Sequence, residues 1–260
     1  MNIGSIALAV ALLPAAFGQW LDVKTAGVPR LADGKPNLTA PAPRLADGRP
    51  DLSGLWNPEA GFVRTLAKDL KPGEVPMQAW AETLYKERLS GIHSHEEPDA
   101  NCLPQGVPKI DAAPAPWRMV QTPGIVFLVY EAFTQWRQVF TDGRALPKDP
   151  SPTWFGYSVG KYEGDTLVVD TSGFHGASVN VNNRGWLDQE GHPSTDALHV
   201  TERFRRKDFG HMDLTITIDD PKAYTKPWTV VEHPTLLLDS ELLEFICLEN
   251  EKDIRHLNVK

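Results

Sequence analysis

The residue of this chain best placed to hold or move a proton is Glu202. Along residues 198–206, Leu198, Val200, Glu202 and Phe204 alternate onto one face of a strand, and His199, Thr201, Arg203 and Arg205 onto the other. An apolar face turned to a core takes Glu202 with it, and a carboxylate there must be paired, hydrogen-bonded or protonated. A raised carboxyl pKa is what general acid or base chemistry uses. Pairing with an inward arginine, Arg137, is the structural alternative. The same alternation groups Tyr157 with Phe155 and Val159, and Glu131 with Ile125, Phe127 and Val129, so both are expected to face the interior. The expected catalytic set is Glu202 with Tyr157 or a nearby histidine, His199 included.

A second concentration of chemistry lies in residues 173–197, a connection far longer than an ordinary hairpin loop; such loops are usually functional or disordered. It carries His175, Arg184, Trp186, Asp188, Glu190 and His192. An aromatic ring among hydrogen-bonding groups suits a lid over a small ligand. The expected ligand-binding residues are Trp186, Asp188, His192, His175 and Arg184, with Glu131. The bland alternative is a solvated loop whose Trp186 packs down.

The eight histidines raise the question of a metal. His93 and His95 share a face if extended, and His192, His199 and His211 surround the long connection, but no His-x-x-x-His, Cys-x-x-Cys or His-Glu-x-x-His spacing occurs. Neither a metal nor a cofactor is expected; Walker and dinucleotide fingerprints are also missing. The net charge of −8 and 41% hydrophobic residues describe an ordinary globule. The basic cluster Arg203, Arg205, Arg206 and Lys207 would be split over two faces of a strand, so nucleic acid is not an expected partner.

Residues 1–18 are apolar through Leu13, carry no charged side chain and end in the small residues of Ala16-Phe17-Gly18, the pattern of a secretory signal. No other run approaches a membrane span, so a periplasmic or secreted location follows as the expectation. In that compartment Cys102 and Cys247 are expected to form a disulfide.

The elements that must position these groups are mostly strands. Residues 19–52 form a Pro- and Gly-rich arm in which Pro29-Arg30-Leu31-Ala32-Asp33-Gly34-Lys35-Pro36-Asn37-Leu38 recurs as Pro43-Arg44-Leu45-Ala46-Asp47-Gly48-Arg49-Pro50-Asp51-Leu52, an extended segment with Asp-Gly turns. Residues 53–116 are largely irregular, with a short strand at 52–56 beginning just before them and one helix at 76–90. Strands are expected at 117–122, 125–131, 135–141, 155–162, 166–172, 198–206, 211–218, 228–233 and 242–248, joined by turns such as Pro123-Gly124 and Glu163-Gly164-Asp165. Sequential strands with tight turns close most simply into an antiparallel up-and-down barrel, lipocalin- or calycin-like, spanning 117–260; a two-sheet β-sandwich is the alternative.

The runs Pro152-Thr153-Trp154-Phe155-Gly156-Tyr157-Ser158-Val159-Gly160, Glu163-Gly164-Asp165-Thr166-Leu167-Val168-Val169, Trp186-Leu187-Asp188 and Thr201-Glu202-Arg203-Phe204-Arg205-Arg206 resemble an uncharacterised family of exported bacterial proteins, over most of the chain from Asp51. The resemblance implies export but no activity. Where similar proteins carry Gly-His-Pro-His-Ser, this chain has Gly191-His192-Pro193-Ser194-Thr195, one histidine fewer. The expected function is binding of a small, partly apolar molecule in the barrel under the long loop. The alternatives are a cofactor-independent lyase, isomerase or hydrolase using Glu202, and an interaction module docking through the Pro-rich arm.

Overall fold

A computed structural model describes residues 23–175 and 185–247. The signal segment 1–18 and Arg184 lie outside the described residues. The fold is mainly β, with one α-helix and several single-turn helices. The strands are β1 Gly54–Asn57, β2 Trp117–Thr122, β3 Ile125–Tyr130, β4 Gln135–Phe140, β5 Tyr157–Glu163, β6 Thr166–Ser172, β7 Gly185–Trp186, β8 Pro193–Ser194, β9 His199–Arg206, β10 Met212–Asp219, β11 Trp228–Glu232 and β12 Thr235–Leu236.

Ten of them make one curled half-barrel sheet in the order β11-β10-β9-β6-β5-β4-β3-β2-β1-β12, and β7 and β8 form a separate two-stranded ribbon. Curling happens because one face is apolar and must be removed from water. That face carries Trp117 and Met119, Val126 and Leu128, Leu167 and Val169, Val200 and Phe204, and Leu214 and Ile216, all buried. The chain leaving β11 turns at Pro234 and enters β12, which pairs with β1 through Trp56 and Leu236. On its other side Met212 N donates to Pro234 O at 3.0 Å and Leu236 N to Gly210 O at 2.8 Å, so β12 bridges the two ends of the sheet.

Three details differ from the sequence expectation. β4 and β5 run parallel, paired only through Val139 with Ser158 and Phe140 with Val159, so the meander is interrupted there. Gly160 makes this seam possible, because a Cβ on it would lie 2.9 Å from Val139 Cγ1. Residues 242–247 form no strand; the segment instead lies over the turn after β3, with Leu243 N donating to Glu131 Oε2 at 2.9 Å and Phe245 N to Thr134 Oγ1 at 3.1 Å. The strand that closes the sheet is the short β12, which sequence pattern alone did not mark.

The helix α1, Ala79–Leu89, is built from good helix formers and ends at Gly91, whose φ of 85° is the left-handed conformation that terminates helices. It buries Ala81, Leu84 and Arg88, one stripe of its surface. The two arm repeats fold alike: Leu31 N donates to Lys35 O and Leu45 N to Arg49 O, at 2.8 and 2.9 Å. The second copy also holds the barrel, through Arg44 to Asp165 at 2.9 and 2.8 Å.

Cys102 and Cys247 form a disulfide across a sequence separation of 145 residues, tying the irregular segment to the C-terminal tail. No helix among the described residues is long and apolar enough to cross a membrane. Closing so long a loop restricts the unfolded chain, so replacing both cysteines by serine should lower stability by about 2–5 kcal/mol. Denaturant unfolding of the double variant and of the reduced wild type checks this; unchanged midpoints would show that the bridge contributes nothing.

Candidate functional site

Two buried polar clusters compete for the role of functional site. The first lies inside the sheet. Glu202, fully buried on β9, meets the guanidinium of Arg137 on β4, with Nη1 to Oε1 at 2.9 Å and Nη2 to Oε2 at 2.5 Å. Arg137 also donates to Ser158 Oγ at 3.1 Å and Thr171 Oγ1 at 2.8 Å. Both carboxylate oxygens of Glu202 are thus held in a bidentate pair on rigid strands, and the structural alternative foreseen for this residue is the one observed.

Around that pair sit two further buried carboxyls. Asp111 accepts from the Tyr130 hydroxyl at 2.7 Å; burial and then the neighbouring Glu202 push its pKa well above the usual carboxylate range. Glu232 is fully buried, neither of its oxygens has a hydrogen-bond partner among the described residues, and burial followed by the charge of Asp111 pushes its pKa up strongly. One guanidinium lies among three carboxyls, and burial favours the protonated form of Asp111 and Glu232.

The other residues expected at this interior lie elsewhere. The buried side of β3 is Val126, Leu128 and Tyr130, so Glu131 follows the strand outside the barrel, where it holds Leu243. Tyr157 is on the outer face of β5, stacked on Phe140 and accepting from Arg144 Nη1 at 2.9 Å. His199 is half-exposed, with Nε2 3.6 Å from Asp170. His175 is exposed at the edge of Trp154.

One motif escaped the sequence reading: Gly156-Tyr157-Ser158-Val159-Gly160 has the spacing of a nucleophile elbow. An elbow needs a sharp strand-to-helix turn with an exposed serine. Ser158 is instead buried within β5, bonded to Arg137 and Thr171, and no histidine is among its partners in the described residues.

The second cluster lies outside the sheet, where the β7–β8 ribbon meets α1. Asp188, fully buried in the turn of the ribbon, accepts from Gly191 N at 2.9 Å, His192 N at 3.1 Å, Leu66 N at 2.9 Å and His192 Nδ1 at 2.6 Å. From α1, Arg88 donates to Gly185 O at 2.9 Å and Gly191 O at 3.0 Å, with its guanidinium 4.2 Å from the centre of the Trp186 ring. Trp186 therefore packs down beneath Arg88. Gly191 has a φ of 89°, and a Cβ there would meet Arg88 at 2.6 Å, so the turn admits only glycine.

His192 is clamped in this setting. Tyr85 of α1 stacks on its ring at 4.3 Å, and Trp228 of β11 lies 5.8 Å away on centroids. The Tyr85 hydroxyl donates to Glu190 Oε2 at 2.8 Å, and burial together with that carboxylate pushes the phenol pKa up, so the phenol keeps its proton. His192, Tyr85 and Glu190 line a pocket of about 620 Å³ whose other walls include Leu70, Lys71, Val75 and Met77. Asp188 engages Nδ1 of the ring, and Nε2 is the ring nitrogen that Asp188 does not engage.

The structure thus brings Asp188 and His192 together and separates both from Glu202, Tyr157, His199 and His175. Tyr85 and Lys71 were not singled out in the sequence; the Asp188-x-x-x-His192 spacing was the available signal. Among the described residues no group of three or more His, Cys, Asp or Glu side chains could hold a metal ion. Comparison with protein-family models finds none that matches the chain, and comparison with curated proteins finds no match either.

Replacing Arg137 by Met should cost about 3–5 kcal/mol in denaturant unfolding by stranding Glu202, and adding Glu202→Gln should recover part of it. A loss as small as that of a surface substitution would contradict this account. Glu232 gives a pH prediction. Its folded pKa is raised, so its stabilising proton is fully held below its unfolded value, about 4.3, and stability falls as pH rises through the folded value. Glu232→Gln should flatten that decline in melting temperature against pH; an unaltered slope would assign the decline to other groups.

Proposed function

We propose that this protein binds a small, partly apolar molecule in the pocket beside α1 rather than inside the half-barrel. The observation that carries this reading is the Asp188-oriented His192 in the wall of a pocket of mixed lining that includes Leu70, Val75 and Met77. Leu70, Val75 and Met77 offer a surface for a hydrocarbon body, and His192 and the lysines Lys68, Lys71 and Lys86 are polar groups lining the same pocket. A short carboxylic acid or ester has this division of character. The Arg137–Glu202 pair, by contrast, satisfies its own groups and serves the scaffold.

The protein works, on this reading, outside the cytoplasm. The disulfide fits an oxidising compartment, and the apolar N-terminal segment and the resemblance to exported proteins support the same location.

Amide and side-chain NMR shifts followed during titration with hexanoate and with methyl hexanoate test the binding site. Changes should cluster on Tyr85, Glu190 and His192, and Leu70→Trp, which fills the pocket, should suppress them. Absent changes, or changes confined to residues away from the pocket, reject the reading.

A further inference from the structure

The binding reading leaves the arrangement of His192 unexplained, because a recognition histidine needs no buried carboxylate behind it. Other Asp–His pairs occur in the molecule but differ in setting. His211 with Asp208 and His233 with Asp213 have Nδ1 contacts of 2.7 and 2.8 Å, yet their side chains are 38% and 56% exposed on the histidine and 23% on each aspartate. His192 and Asp188 are 2% and 0% exposed, and His192 alone of these histidines lines the 620 Å³ pocket.

This setting has three consequences for proton chemistry. The hydrogen bond from Nδ1 to Asp188 fixes the tautomer, so the basic lone pair is on Nε2. Stacking against Tyr85 and contact with Trp228 fix the ring plane. The buried carboxylate of Asp188 stabilises the imidazolium that forms when Nε2 takes a proton, and backbone N–H groups of Leu66, Gly191 and His192 hold that carboxylate in place. A base with fixed tautomer, fixed orientation and a waiting counter-charge is preorganised for transfer of a proton.

We propose that His192 is the general base of a hydrolytic activity toward small carboxylic esters with a short aliphatic acyl group, with Asp188 as its positioning residue. This rests on the pocket beside α1 being a ligand site. The acyl chain lies along Leu70, Val75 and Met77. Nε2 takes a proton from a water molecule as the water oxygen bonds to the acyl carbon. The tetrahedral intermediate then breaks its bond to the alcohol oxygen, and the proton on Nε2 passes to the leaving alkoxide. One ester and one water give one acid and one alcohol, and the imidazole returns neutral. Lys71 is a lining residue of the same pocket.

The test uses the full protein with p-nitrophenyl butanoate as substrate and butanoate as binding probe. Wild type should hydrolyse the ester above the buffer rate, with a rate that rises with pH to a plateau as an imidazole deprotonates. His192→Gln should lower kcat by roughly 10²–10⁴-fold while still binding butanoate, and His233→Gln should leave turnover unchanged. Asp188→Asn should shift the midpoint of the pH–rate profile downward and lower kcat with little change in KM; if it fails to fold, the His192 comparison decides alone. Butanoate binding in the pocket without ester hydrolysis, or full turnover by folded His192→Gln, overturns the catalytic role and leaves the binding reading standing. Neither binding nor hydrolysis overturns both.

Discussion

Asp188 is the constraint on which the candidate site depends. Its carboxylate gathers N–H donors from the ribbon turn, from the segment at Leu66 and from the His192 ring, and so fastens together stretches of chain that are distant in sequence. A buried carboxylate surrounded by N–H donors holds those donors in a fixed geometry. The placement of the His192 ring and the path of the ribbon follow from those hydrogen bonds.

The half-barrel provides the rigid ground beneath it. Trp228 on β11 and Tyr224 just before it press on the site, with the Tyr224 hydroxyl donating to Pro193 O at 2.7 Å. Asp220, at the end of β10, receives Thr195 N and Oγ1 at 2.6 and 2.8 Å and pins the far end of the ribbon. On the other side Arg88 joins α1 to the ribbon through two carbonyls. The Arg137–Glu202 pair acts deeper, where it specifies how β4, β5, β6 and β9 meet. Its polar partners Ser158 and Thr171 occupy inward positions that an all-apolar core would fill differently.

The sheet was largely legible in the sequence because alternation of apolar residues on β9, β10 and β11 leaves only one face suited to the core. Other strands were ambiguous for physical reasons. β3 is Ile-Val-Phe-Leu-Val-Tyr, apolar on both faces, so its inward side could not be read and Glu131 was assigned to the wrong one. On β5 the inward residues are Ser158 and Gly160, small because Arg137 and Val139 need the space, which made the outward Tyr157 and Val159 look like the core face. The parallel contact of β4 with β5 depends on long-range packing that no local pattern encodes. In the candidate site, Asp188 and His192 stood out by type and by their place in the long connection. Tyr85 did not, since its stacking on His192 arises only when α1 docks on the ribbon.

A crystal structure of the protein grown with butanoate decides where the ligand binds. The ligand should lie in the pocket beside α1, with its alkyl chain against Leu70 and Met77. Butanoate bound instead inside the half-barrel at Arg137 and Glu202, with the pocket beside α1 empty, would contradict it.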